Sequence, residues 1–344
     1  MNACYSHCYV PESLLYGDID PNIKDAKGNA TESSNYRPVM RSSCLLKLFE
    51  MQLLEIISEK IFFNVRQFGY RKHTSTSDAC LILKETISKY IAHKNCKSYG
   101  LFVDLSKAFD NVDHFLLGKL LLQRKIPPDI VLLLMHYLRN QYARVVWNGE
   151  KGDYCIIEKG VRQGGILSPL LFKLYIDDII NDVCVENVGC KFGILRMNIL
   201  AYADDIVLLA SSKEQLDKLY RVLEQRIGER KLLINKTKSK CLIFTNQSSN
   251  VTATDVILGN DIFEVVKEYK YLGHNLQDNL SDVKDVEFRL NSFYFKFYWL
   301  FRNFKNISID VFILFLIPFA CQIMVCSFGT LVKLQRDRVP KFLK

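Results

Sequence analysis

Several shortages in this chain each exclude something. The first residues have no basic stretch followed by a long apolar one, so a secretory signal is not expected. No internal repeat or low-complexity tract occurs, which excludes a repeat architecture. Eleven cysteines are present, but not in the pairs a zinc site needs. Cys4 and Cys8 flank His7, and no second ligand pair follows at zinc spacing. The other cysteines are scattered through apolar runs, as free thiols of a reducing, intracellular compartment would be, with nucleus and cytoplasm not separated. No membrane is expected either. Residues 311–332 form a nearly uncharged run long enough to span a bilayer, but Pro318, Gln322 and Gly329 interrupt it, and it reads as a buried helical pair.

What is present describes a folded protein. The chain has 344 residues, 49% of them hydrophobic and 24% charged. That is enough apolar material for two or three subdomains, and too much for a disordered chain. The net charge of +9 suits a polyanionic partner.

Residues 1–35 are rich in turn formers and read as loops. Apolar residues at helical spacing mark helices over 43–61, from Ser77 as N-cap to 91, and over 114–122 and 128–138. A further helix is expected with Ser168 as N-cap and Pro169 at its first position, running to 183, and others over 214–227 and from 283 onward. Short apolar runs at 99–105, 154–157, 199–210, 240–244 and 269–272 suit strands. Strands and helices do not alternate strictly, so the expected class is α+β rather than a doubly wound sheet.

Carboxylates at the ends of two apolar runs carry the chemistry. Asp104 follows Leu101-Phe102-Val103. Asp204 and Asp205 separate Ile199-Leu200-Ala201 from Ile206-Val207-Leu208-Leu209, which reads as strand, tight turn, strand. A turn can present both carboxylates on one rim. Hard divalent ions take such oxygen ligands together with substrate phosphates, and a pair of ions can activate a 3′-hydroxyl and stabilise a leaving pyrophosphate. Without metal the same cluster is a stability cost. A second Tyr-x-Asp-Asp occurs at Tyr175-Ile176-Asp177-Asp178, but inside an expected helix, where neighbouring side chains diverge by about 100°. It reads as a solvated helix face.

At this point the chain resembles the reverse transcriptases of non-LTR (LINE-type) retrotransposons. Residues 101–110, Leu-Phe-Val-Asp-Leu-Ser-Lys-Ala-Phe-Asp, are similar to the family's first catalytic motif, and Tyr202-Ala203-Asp204-Asp205 to its catalytic hairpin. Residues 160–169, Gly-Val-Arg-Gln-Gly-Gly-Ile-Leu-Ser-Pro, resemble its Gln-Gly segment. Asn35-Tyr36-Arg37-Pro38-Val39 and Gln67-Phe68-Gly69-Tyr70-Arg71-Lys72 resemble its two fingers motifs. Asn235-Lys236-Thr237-Lys238-Ser239 and Tyr271-Leu272-Gly273 resemble the motifs after the hairpin. The motifs run in family order across residues 11–330.

The resemblance implies a right-hand polymerase with an antiparallel palm sheet backed by helices: 1–98 partial fingers, 99–278 palm, 279–344 thumb remnant. It implies an RNA-directed DNA polymerase using two Mg²⁺ ions (or Mn²⁺), an RNA template, a DNA or RNA primer and dNTPs. Asp104, Asp204 and Asp205 would be catalytic and hold the metal, Asp205 less directly. Phe109 would lie under the incoming sugar and exclude a 2′-hydroxyl. Gln163 and Gly164 would pack on the nascent base pair. Arg71 and Lys72 would neutralise the dNTP triphosphate or template phosphates, Lys238 would protonate or neutralise the leaving pyrophosphate, and Arg162 would touch the template. His73 stands where family members often carry glycine. With no endonuclease domain or Cys/His knuckle read in the sequence, the expectation is a fragment that polymerises while a separate endonuclease cuts. The alternative is a catalytically inactive relic that only binds nucleic acid. Phe109 speaks against an RNA-dependent RNA polymerase.

Overall fold

The structure, a computed structural model, describes residues 2–304 apart from 27, 94–95, 193 and 247–254, and beyond 304 only residues 308, 311, 313 and 317. But for three positions, the apolar run 311–332 lies outside the described residues. Among the described residues no helix is long and apolar enough to cross a membrane.

The N-terminal residues hold more regular structure than their turn-rich composition suggests. A short helix, α1 (Asn2–His7), precedes two strands, β1 (Tyr16–Ile23) and β2 (Tyr36–Arg41), which pair antiparallel with Pro21 opposite Pro38. Proline cannot donate to a ladder and is confined to free edges. Helix α2 (Cys44–Ser58) starts where the Ser43 hydroxyl accepts the Leu46 N–H, and it buries Leu46, Phe49, Leu53 and Ile57 along one stripe. Helix α3 (Thr76–Ile91) is capped two residues before the expected position. Ser75 takes the Asp78 N–H while the Asp78 carboxylate takes the Ser75 N–H. Ser77 has Cys80 three residues on and could form no such reciprocal pair.

The chain continues through β3 (Lys97–Val103), α4 (His114–Gln123), α5 (Pro128–Arg139), β4 (Tyr142–Trp147), β5 (Glu150–Lys151) and β6 (Cys155–Ile156). Strand β4 pairs parallel to residues 16–19 of β1, leaving Pro21 beyond the shared ladder. The first sheet has the order β2-β1-β4-β5, with β6 also on β4. It therefore draws strands from both 16–41 and 142–156.

Helix α6 (Ser168–Val185) leads through the small hairpin β7 (Lys191–Phe192) and β8 (Leu195–Arg196) to the strands β9 (Ile199–Tyr202) and β10 (Asp205–Ala210). After α7 (Lys213–Glu229) come β11 (Lys240–Thr245) and two hairpins, β12 (Asp255–Leu258) with β13 (Asp261–Glu264) and β14 (Glu268–Tyr271) with β15 (His274–Gln277), then α8 (Val283–Asn303). The second sheet is wholly antiparallel, in the order β11-β3-β10-β9. Helices back it, so the class is α+β.

This second sheet is buried on both faces, which is why its strands read as unbroken apolar runs. Leu101, Val103, Ile206 and Leu208 face one core with α4, α5, α6 and α7. Phe102, Val207, Leu209 and Phe244 face the other with Leu83 and Ile87 of α3 and Tyr271 of β14. Each such side chain contributes roughly 1.5–3 kcal/mol of burial. Gly100 makes room for the Phe244 ring, whose edge a Cβ would approach to 3.0 Å.

Two expectations about α6 are corrected. Ser168 is the first helical residue and Pro169 the second; Leu167 occupies the cap position and gives no side-chain bond. The turn before the helix is instead satisfied from α2, where the Glu50 carboxylate accepts the Ile166 N–H at 2.7 Å. Asp177 and Asp178 do not form a solvated face. Asp177 is fully buried; it accepts the Asn64 N–H at 2.9 Å and pairs with Arg124 at 2.8 Å. Arg124 also reaches Asp178 at 2.6 Å, and Arg230 holds Asp178 at 3.2 Å. Helix α6 is covered on most of its circumference, so a carboxylate there is desolvated and must be paired.

Candidate active site

Asp104 sits at the end of β3, and a turn of the chain after α7 fixes its backbone. The Asp104 N–H donates to Ser239 Oγ at 3.0 Å, and the Asp104 carbonyl accepts the Asn235 N–H at 2.8 Å. Ser239 Oγ donates in turn to the Asn235 carbonyl. Asn235 Oδ1 also accepts the Lys238 N–H, which sets Lys238 beside Asp104.

The other two carboxylates come from the β9–β10 hairpin. Tyr202 and Asp205 are its last paired residues, and Ala203 and Asp204 make the turn, with Ala203 left-handed at φ 56°. A segment on the outer edge of β9 braces this hairpin. The Phe68 N–H donates to the Ala201 carbonyl at 2.8 Å, and the Ala201 N–H to the Arg66 carbonyl at 3.0 Å. Gly69 lies against the turn so closely that a Cβ would stand 2.4 Å from the Ala203 nitrogen. Only glycine fits such an approach.

The three carboxylates feel one another. Burial raises Asp104, while Lys238 and Lys24 pull it back down. Burial also raises Asp204, and the charge of Asp104 adds to this; its own backbone N–H and Arg37 oppose. Asp205 is pushed up to about 6 by desolvation and then by the charges of Asp204 and Asp104. Tyr269 of β14, raised chiefly by burial, also senses Asp205 and Asp104, so this hairpin flanks the site.

All three donors are hard carboxylate oxygens held in mutual repulsion, which fits a magnesium-type ion. Among the described residues no three His, Cys, Asp or Glu side chains already close into a metal cage. Coordination would then be completed by water and phosphate oxygens, as Mg²⁺ prefers.

A pH-dependent response to metal follows. Asp205 is raised above its ordinary 3.8 in the folded state, so the native protein binds that proton more tightly than the unfolded chain. The associated stability is present at low pH and is lost as pH rises through about 6. A divalent cation offsets the repulsion only when the carboxylates are ionised. Melting curves in Mg²⁺ against EDTA should show a larger upward shift at pH 7.5 than at pH 5. Equal shifts at both pH values would contradict this account.

The residues expected around the nucleotide are partly brought together. Phe109 is half-buried and stacks on Phe172, with centroids 4.6 Å apart and planes 18° apart. The Val161 N–H donates to the Phe109 carbonyl at 2.8 Å, laying the Gln-Gly segment alongside. Gln163 Nε2 donates to Asp110 Oδ1 at 2.9 Å, and its carbonyl accepts the Met40 N–H of β2 at 2.7 Å. Gly164 is left-handed at φ 102°, and a Cβ there would stand 3.0 Å from the Met40 carbonyl.

Of the cations expected at phosphates, Lys238 lies beside Asp104. Arg71 is exposed and donates to the Val65 carbonyl at 3.3 Å, and Lys72 is exposed. The charges that lower the carboxylates are Lys238, Lys24 and Arg37. Lys24 and Arg37 stand at the end of the β1–β2 hairpin, where the Lys24 N–H donates to the Asn35 carbonyl. Lys24 gives no local signal. Arg37 lies within a matched motif, yet its reach depends on a hairpin that the turn-rich composition concealed. Arg162 does not face a template. It is buried, with Nε on Gln141 Oε1 at 2.8 Å and Nη2 on the Leu15 carbonyl, internal acceptors that offset part of the desolvation of the guanidinium. Sequence reasoning also missed Gln67, whose side chain bonds the Ala203–Asp204 turn.

Comparisons with known proteins agree with the geometry. The family model for reverse transcriptase (RNA-dependent DNA polymerase) matches residues 23–276. The chain is 28% identical over 249 residues to the Retrovirus-related Pol polyprotein from type-1 retrotransposable element R2 of Nasonia vitripennis, covering 69% of this chain and 24% of that protein. It is 27% identical over 319 residues to the RNA-directed DNA polymerase from mobile element jockey of Drosophila funebris, covering 88% and 33%. The chain thus spans about a quarter to a third of the length of these relatives. Among solved structures it is similar to telomerase from Candida tropicalis in complex with a fragment of telomeric RNA (TM-score 0.55, 11% identity, 95% of this chain and 56% of that chain). It is also similar to the apo form truncated from its C-terminal domain (TM-score 0.52, 12% identity, 81% and 58%). At such identity the likeness concerns the fold.

Proposed function

The chain belongs to the reverse transcriptase (RNA-dependent DNA polymerase) family, and from that premise we propose that it adds deoxynucleotides to a primer 3′-hydroxyl on an RNA template. Its fold is that of the right-hand polymerases, α+β with an antiparallel palm sheet. We assign 1–98 to partial fingers, 99–278 to palm and 279–344 to a thumb remnant, with strands from 142–156 completing the fingers sheet.

One observation carries the reading. Asp104 and the Asp204–Asp205 turn end neighbouring strands of one sheet, near enough that the charge of Asp104 raises the proton affinity of both Asp204 and Asp205. Members of this family generally use divalent metal ions. Asp104 and Asp204 would hold two Mg²⁺, or Mn²⁺, with Asp205 supporting less directly. Bound there, such ions supply Lewis-acid activation of the 3′-hydroxyl and neutralise charge at the departing pyrophosphate.

The chain's own side chains do the rest. Lys24, Arg37 and Lys238 bring positive charge to the triphosphate, and Lys238, whose charge acts on Asp104, is assigned to neutralise or protonate pyrophosphate. Arg71 and Lys72, both exposed, are assigned to template phosphates. Phe109, backed by Phe172, forms the floor under the sugar and leaves no room for a 2′-hydroxyl. Gln163 and Gly164 present backbone to the nascent base pair. The partners are an RNA template, a DNA or RNA primer and dNTPs.

Primer extension on poly(rA) with dTTP and with UTP tests this. Extension with dTTP and little with UTP is expected. No extension with either, while RNA binding persists, would favour a nucleic-acid-binding relic. Equal use of UTP would remove the assignment of Phe109.

A further inference from the structure

Gln67 is fully buried and unevenly satisfied. Its Oε1 accepts two backbone N–H groups, from Gly69 at 2.9 Å and from Ala203 at 3.1 Å. Its Nε2, also buried, has no hydrogen-bond partner among the described residues. Both partners are donors, so the oxygen must face the turn and an amide flip cannot repair the bare nitrogen. A methionine of similar shape would pack without that cost. What Gln67 does there, and an apolar side chain cannot, is hold the peptide between Tyr202 and Ala203.

That peptide directly precedes Asp204. Ala203 is left-handed at φ 56°, a conformation L-residues avoid without outside support. Rotating the peptide back would swing Asp204 and Asp205 away from Asp104. We propose that Gln67 is a positioning residue for the metal-binding carboxylates, fixing the Ala203–Asp204 turn through the Ala203 N–H. This rests on the reading of Asp104, Asp204 and Asp205 as a metal site.

The test compares Gln67→Met with Asn198→Leu in the full chain. Asn198 is another fully buried amide with one bare atom, Oδ1, and it precedes β9 at the end away from the turn. Three quantities are measured: the melting midpoint, Mn²⁺ affinity by electron paramagnetic resonance without nucleic acid, and kcat with KM for dTTP on poly(rA). Both variants should melt lower. Only Gln67→Met should weaken Mn²⁺ binding, by about 10-fold, and lower kcat by roughly 10–100-fold with KM for dTTP little changed. Unchanged Mn²⁺ affinity and kcat in Gln67→Met, or equal losses in Asn198→Leu, would overturn the proposal. Wild-type protein that binds Mn²⁺ without extending primers would refute the polymerase reading, and the Mn²⁺ comparison would still judge Gln67. If Gln67→Met does not fold, Gln67→Asn, too short to reach both N–H groups, is measured in the same way.

Discussion

Replacing Asp204 by asparagine should stop template-directed extension, with kcat lower by about 10³-fold, while the melting midpoint without metal stays level or rises. The asparagine keeps the shape of the turn and removes one of three mutually repelling charges, so Asp205 loses the larger of the two anions that raise it. Single-nucleotide extension and a melting curve read the two halves of this prediction. The other Tyr-x-Asp-Asp should behave in the opposite way. Asp177→Asn takes away the buried carboxylate facing Arg124 and should cost about 3 kcal/mol in urea unfolding, with kcat retained in the folded fraction. If Asp177→Asn lost extension and Asp204→Asn kept it, the site would have been placed on the wrong copy.

Phe109→Val should change which sugar is accepted. The valine leaves space above the Phe172 ring where the aromatic floor had been. Discrimination against UTP relative to dTTP should fall by roughly 10–200-fold, the range that a pocket contact of this size controls. Most of the change should come from UTP used better, with dTTP losing modestly through KM. The measurement is kcat/KM for each nucleotide on the same poly(rA) template. An unchanged ratio would make Phe109 a packing residue only. Phe109 is half-buried, so the substitution should also cost stability, by less than the ~3–5 kcal/mol of a fully buried phenylalanine truncation.

The parts of the molecule legible in the sequence are those whose causes are local. Residues 101–103, 199–201 and 206–210 declare themselves because both faces of their sheet are covered, so each run is apolar up to the carboxylates at its end. The helices declare themselves by the stripe they bury. The first sheet does not. Its strand β1 contains Gly17, Asp18, Asp20 and Pro21, each a turn former, and it is a strand because β2 pairs along residues 18–23 and β4 along residues 16–19. Lys24 and Arg37 were obscured for the same reason, since their approach to the carboxylates depends on that hairpin. Asp177 misled because nothing near it in sequence announces Arg124. Gln67 lay within a matched motif, but a motif does not say which backbone N–H a side chain will hold.

The parallel pairing of Tyr16 with Tyr142 also has a consequence for synthesis. The β1–β2 hairpin leaves the ribosome before β4 and can close on itself, but its sheet must wait until the β4 residues emerge. Loop closure over such a span is slow, and an unpaired strand edge is exposed in the meantime. Nascent chains halted before residue 142 should therefore be sensitive to protease along residues 16–41, with protection arriving as β4 is completed.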